Sequence, residues 1–258
     1  MTNTDALIET NLTTSQQALY TLPVWLQVYK AITPYTSVEP LAYSGEFNFA
    51  SAGYTTPSQI QGVPLFTGVS GLTLNGNASL SGLVDVTGFS NLAKIIIDSS
   101  PGTSLSSVYG SVTGCPLVTF NVGTCRGFSG SMAALTTLKL VNAIVGNLAG
   151  ALVPPIPGNN PLLTSFTFRS WSGFGYFQTT AQVGDLSLLT VLTTFSILSG
   201  DASVTAINYM LNRLLAAKNA GAPLVTVNLS GGTNAAPTGQ GVTDKASLVS
   251  AGVSVTTN

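Results

Sequence analysis

The chain has 258 residues, of which only 7% are charged, with no histidine and a net charge of −1. Such a composition offers no basic field for nucleic acid and no polybasic patch for an anionic membrane. Length alone decides little, because an architecture that grows by stacking repeats escapes the usual limit on domain size.

In chain order, the opening MTNTDALIETNLTTSQQ has neither the basic start nor the apolar stretch of a secretory signal, so none is expected. Residues 1–60 carry no repeat and are read as a separate N-terminal segment. A short helix is expected near Ser15 to Tyr20, followed by LPVWLQVYKAITPYTSVEPLAYSGEFNFA, where prolines interrupt apolar and aromatic runs. Two roles suit this segment. It can cap the open end of a repeat core, or attach the protein to another through Trp25, Tyr29 and Tyr35.

From about residue 61 to 258 an apolar pattern at i, i+3 and i+5 recurs. Its copies are Val69-Leu72-Leu74, Leu92-Ile95-Ile97, Leu117-Phe120-Val122, Leu135-Leu138-Leu140, Leu163-Phe166-Phe168, Leu192-Phe195-Ile197 and Leu224-Val227-Leu229. Their first positions are separated by roughly 18 to 32 residues, near the range of stacked single-strand repeats. The early connections are rich in glycine and serine and have no helical period. In DASVTAINYMLNRLLAAKNAG, by contrast, Val204, Ile207, Leu211, Leu214 and Leu215 share one helical face, with Asp201 or Ser203 to cap the start and Gly221 the end. A shorter helix is expected over TDKASLVSAG, and GVSV at 252–255 then supplies a last parallel strand.

The pattern L-x-x-L-x-L resembles the leucine-rich-repeat family. That family continues with two residues and an asparagine or cysteine, a position filled here by Asn77 and Cys125 in two copies and by Ser100, Ala143, Trp171, Gly200 and Gly232 in the others. The fold expected is α/β: an irregular leucine-rich-repeat-like solenoid with one parallel sheet of about seven or eight short strands and helices mainly in the C-terminal repeats. A parallel β-helix is the alternative.

Side chains alternate along a strand, so residues between the core positions form columns on the open sheet face. Thr119, Asn121, Thr137, Lys139, Thr167, Arg169 and Asn228 are the candidate binding residues of that face. It is either a solvated β surface, in which threonine serves strand propensity, or a hydrogen-bonding surface for a glycan or a neighbouring protein. A second candidate lies in FRSWSGFGYFQ, where Trp171, Phe174, Tyr176 and Phe177 crowd one connection. Aromatic rings there form a contact surface or pack inward to fill a wide turn.

Cys115 and Cys125 flank nine residues, and the ten steps between them, if extended, hold them ~33 Å apart. A disulfide needs Cα atoms within about 7 Å, so buried free thiols are expected. No metal site, cofactor or catalytic residue is expected: the usual general base is absent, no phosphate loop occurs, and Asp85, Asp98, Asp185 and Asp201 do not converge as paired carboxylates. The most apolar run, LVNAIVGNLAGALVPPIP, is too short and too broken to span a bilayer of ~20 helical residues.

The C-terminal run resembles the closing module of leucine-rich-repeat-like proteins encoded by bacteriophages and some bacteria. It matches at Asn228-Leu229-Ser230-Gly231, at Asn234-Ala235-Ala236-Pro237-Thr238 and at Val253 to Asn258. The resemblance implies a non-enzymatic virion component such as a fibre, spike or decoration protein. Its expected partners are other virion proteins and further copies of itself, and a host surface glycan or protein in the alternative of a receptor-binding adhesin. A free bacterial surface binding protein is the other alternative.

Overall fold

The structure, a computed structural model, describes residues 46–48, 68–73, 84–85, 90–97, 105–145, 152–170 and 176–258. The chain forms two compact units, one from residues 1–116 and 124–130, the other from 117–123 and 131–258.

In the first unit β1 (Glu46–Asn48), β2 (Gly71–Thr73) and β4 (Lys94–Ile97) run parallel, with Gly71 opposite both Glu46 and Lys94. Paired strands therefore begin before residue 61, where the repeat spacing first becomes legible. Val69, Leu72, Leu92 and Ile95 are fully buried, as the spacing requires. The connections hold a second set of strands: β3 (Val84–Asp85) pairs with β5 (Leu105–Ser111), which pairs with residues 125–129 of β6 (Thr119–Ser131). These pairs are parallel too, and a register shift interrupts the last between Leu105 and Tyr109. Glycine- and serine-rich segments lack the residues for an amphipathic helix, whereas Val108, Tyr109 and Phe128 favour extended backbone beside a paired neighbour.

In the second unit a parallel sheet runs in sequence order through residues 119–123 of β6, β7 (Leu140–Val145), β9 (Ser165–Ser170), β10 (Thr194–Leu198), β11 (Thr226–Leu229) and β12 (Ser254–Thr257). A two-residue strand, β8 (Leu152–Val153), precedes β9, and the Val153 carbonyl accepts the Met132 amide at 3.0 Å. Three helices fill later connections: α1 (Thr180–Val183), α2 (Val204–Asn219) and α3 (Gln240–Ser250). An α/β organisation with an open parallel sheet and late helices is thus as the sequence predicts.

Local chemistry explains the helices. Thr179 and Gln182 form a reciprocal capping box on α1. Of the two caps proposed for α2, Ser203 serves: its hydroxyl accepts the Ala206 amide at 3.2 Å, and Gly221 at φ 99° ends the helix region. The buried stripe of α2, Ala206, Ile207, Met210, Leu211, Leu214 and Ala217, follows the helical period, while Leu215 and Val204 lie at its margins. α3 starts earlier than its sequence suggested because Gln240 donates to Asp244 at 2.8 Å and the buried Asp244 carboxylate also receives Asn212 of α2.

Three rows of side chains build the core of the second unit. Leu117, Leu138, Leu163, Leu192 and Leu224 form one row; Phe120, Val141, Phe166, Phe195 and Val227 the next; Val122, Ala143, Phe168, Ile197 and Leu229 the third, each residue at most 2% exposed. The Phe166 and Phe195 rings stack at 5.3 Å between centroids.

One copy of the repeat is corrected. Leu140 pairs with Ser165 and Val141 with Phe166, so the fourth rung is Leu138-Val141-Ala143, three residues later than Leu135-Leu138-Leu140. Leu138 satisfies both spacings. Small Ala143 is fully buried, and the large Phe168 beside it fills the row. Two turns also meet backbone to backbone: a Cβ on Gly158 would lie 2.3 Å from the Asp185 amide nitrogen, so only glycine fits there.

Candidate functional site

The open face of the second unit is set by strand alternation and the corrected register. Its first column runs Leu140, Ser165, Thr194, Thr226 and Ser254; its second runs Asn142, Thr167, Ser196, Asn228 and Thr256. Four consecutive strands, β9 to β12, therefore present only hydroxyl and carboxamide groups at both positions. Neighbouring strands stand about 4.8 Å apart and alternate residues along a strand about 6.6 Å apart, so the groups form a grid. Ser254, Thr256 and Asn142 are exposed, most of the others half-buried, and Ser196 is 6% exposed between its neighbours.

Hydrogen bonding separates this grid from its border. Asn142 donates to the Asn121 side-chain oxygen at 3.0 Å, linking β7 to β6. The Asn228 oxygen is occupied by the Ser230 amide and hydroxyl at 3.1 and 2.7 Å. Among the described residues, the hydroxyls of Thr167, Thr194, Ser196, Thr226 and Thr256 bond to no other side chain or backbone group of the chain. At the strand entrances, in contrast, Thr164 donates to the Lys139 carbonyl at 2.9 Å and Thr193 to the Thr164 carbonyl at 2.8 Å. These hydroxyls stitch one strand entrance to the next.

The predicted face residues divide accordingly. Thr119, Asn121, Thr167 and Asn228 lie on face positions of their strands, and exposed Arg169 lies one position beyond the second column, opposite Leu198. Thr137 and Lys139 do not belong to the face, because the rung they were assigned to is shifted. Thr137 donates to the Leu117 carbonyl at 2.6 Å, and Lys139 precedes β7, where its carbonyl takes the Thr164 amide. Asn142, Ser254 and Thr256 were missed. The polar-apolar alternation of VSVTTN already marks the last two, and Asn142 becomes visible once Ala143 is allowed a core position.

The aromatic connection is partly corrected. Phe177 is fully buried and meets Phe166 and Phe168 edge-on at 6.1 and 5.5 Å, so its ring cannot face a partner. Tyr176 is half-buried against Phe168 at 5.7 Å, and burial pushes its phenol up from the ordinary value. Trp171 and Phe174 lie outside the described residues, as do Trp25, Tyr29, Tyr35 and the helix expected near Ser15.

Charge is sparse and locally engaged. In the first unit Lys94 reaches both Glu46 oxygens at 2.8 and 2.9 Å, and the Thr73 hydroxyl donates to Glu46 at 2.7 Å. Burial raises the Glu46 pKa, but the bonds from Lys94 and Thr73 outweigh it and hold the carboxyl below its ordinary value. The Asp185 carboxyl is likewise held low, first by the Ser187 hydroxyl at 2.6 Å. Cys115 is a buried free thiol, pushed up by desolvation. Among the described residues no cluster of metal-binding side chains occurs and no helix is long and apolar enough to cross a membrane. No protein-family profile, curated protein or solved structure matches the chain.

Proposed function

We propose that the chain is a non-enzymatic structural protein of a bacteriophage particle, attached through residues 1–60, that presents a leucine-rich-repeat-like solenoid outward. The observation that carries the reading is the C-terminal module. Its NLSGGTNAAPT segment, which resembles the phage-encoded closing modules, puts Asn234 at 5% exposure, bonded to Gly200 and Ala202 of one turn and to Ile197 and Leu229 of two adjacent strands. One asparagine thereby ties the backbone of a turn to two neighbouring strands. In-register stacking and a sheet with few charges suit a rigid surface built from repeated copies.

Peptide mass spectrometry of purified phage particles tests this, together with light scattering of the isolated protein. Stoichiometric presence in virions and a defined oligomer are expected. A monomer absent from particles moves the assignment to a free bacterial surface binding protein. The receptor-binding reading is favoured by a separate observation, the unbonded hydroxyls on the face of β9 to β12.

A further inference from the structure

We infer that the face of β9 to β12 is a binding surface for a neutral polysaccharide. Side-chain chemistry selects this class of partner by elimination. Neither grid column carries a charge over these four strands, so an anionic or cationic polymer gains no ion pair on the grid itself. Neither column carries an apolar side chain there, so the grid has none of the buried anchors on which protein partners depend. What remains is a flat array of hydroxyls and one carboxamide on a rigid parallel sheet.

The array suits a polymer of hydroxyl-bearing rings in two ways. Among the described residues, the side-chain hydroxyls of Thr167, Thr194, Ser196, Thr226 and Thr256 bond to no other group of the chain, and each offers one donor and two acceptor sites. Their repeat across strands, about 4.8 Å, is close to the advance of one pyranose unit in an extended chain. A polysaccharide lying across the strands therefore meets equivalent groups at each ring. Threonine and serine on a packed sheet also lose little side-chain freedom on binding, which keeps the ordering cost low. Leu198 and Arg169, one position beyond the grid on their strands, bound it on that side.

The test uses the full chain against immobilised dextran, mannan and soluble β-glucan, with hyaluronate as the anionic control, at low and high salt in biolayer interferometry. Binding to at least one neutral polymer, unchanged by salt, is expected. The double variant Thr194→Val and Thr226→Val keeps shape and strand propensity but removes two hydroxyls, and about tenfold weaker binding follows from the loss of two hydrogen bonds. Thr205→Lys, exposed on α2, leaves binding unchanged. Ser254→Lys, at an exposed grid position, repeats the test should the double variant fail to fold. No binding to any neutral polymer, salt-screened binding to hyaluronate alone, or equal loss with Thr205→Lys overturns the inference. Absence of the protein from virions bears on the particle reading and leaves this result untouched.

Discussion

The side-chain oxygen of Asn234 accepts the amide of Gly200, 34 residues earlier, at 2.9 Å, and that of Ala202 at 3.1 Å. Its amide group donates to the carbonyls of Ile197 and Leu229 at 2.7 and 3.0 Å. One buried carboxamide thus satisfies two amides of the turn that follows β10 and one carbonyl each of the neighbouring strands β10 and β11.

Asn234→Ala is therefore expected to destabilise the second unit by about 3 kcal/mol, since several buried backbone groups lose their partner at once. Urea denaturation at neutral pH checks this through a lower midpoint. Asn234→Asp keeps the acceptor but sets a carboxylate against the two carbonyls, so its folded pKa rises above the unfolded value. Its stability recovers as pH falls and is lost as pH rises through that folded pKa.

The shifted rung predicts a contrast between two leucines two residues apart. Leu138→Ala empties a fully buried position and costs about 2–5 kcal/mol. Leu140→Ala truncates a half-buried residue on the open face and costs no more than about 1 kcal/mol. Equal costs in chemical denaturation return the rung to Leu135-Leu138-Leu140.

Phe177 closes a wide turn from the inside with φ at 70°, a backbone state that a bulky residue holds only where packing enforces it. Phe177→Ala is expected to cost about 3–5 kcal/mol and to lower the thermal midpoint. Any loss of partner binding in that variant reports unfolding, which circular dichroism separates from a surface effect.

Glu46 gives the first unit a pH dependence of known sign. Its carboxyl is held low in the folded chain, so the contribution is present above the unfolded pKa and disappears as pH falls through the lower folded value. With its side chain 33% exposed, the contribution stays below about 1 kcal/mol. Melting curves of the wild type and Glu46→Gln from neutral to acidic pH should differ at the start and converge at the end; a constant gap sinks the assignment.

The sequence by itself determined the parallel strands, the buried rows and α2, because these are written in local periodicity. Alternation puts i+3 and i+5 of a rung on one side of a strand, and Ile207, Leu211 and Leu214 return to one side of a helix whatever surrounds them. The cap of α2 was narrowed to two residues by type, and geometry then picked Ser203 over Asp201.

Only the tertiary structure decided what depends on neighbours. Leu138 fits two overlapping rungs, and pairing of Val141 with Phe166 chooses between them by bringing small Ala143 beside large Phe168. Phe177 points inward because Phe166 and Phe168 leave a space that its ring fills, which no local pattern encodes. Glycine- and serine-rich connections become β5 and the far half of β6 only because each has another strand to pair with. Side-chain periodicity is a property of one strand, whereas register, ring direction and backbone pairing are energies shared between strands.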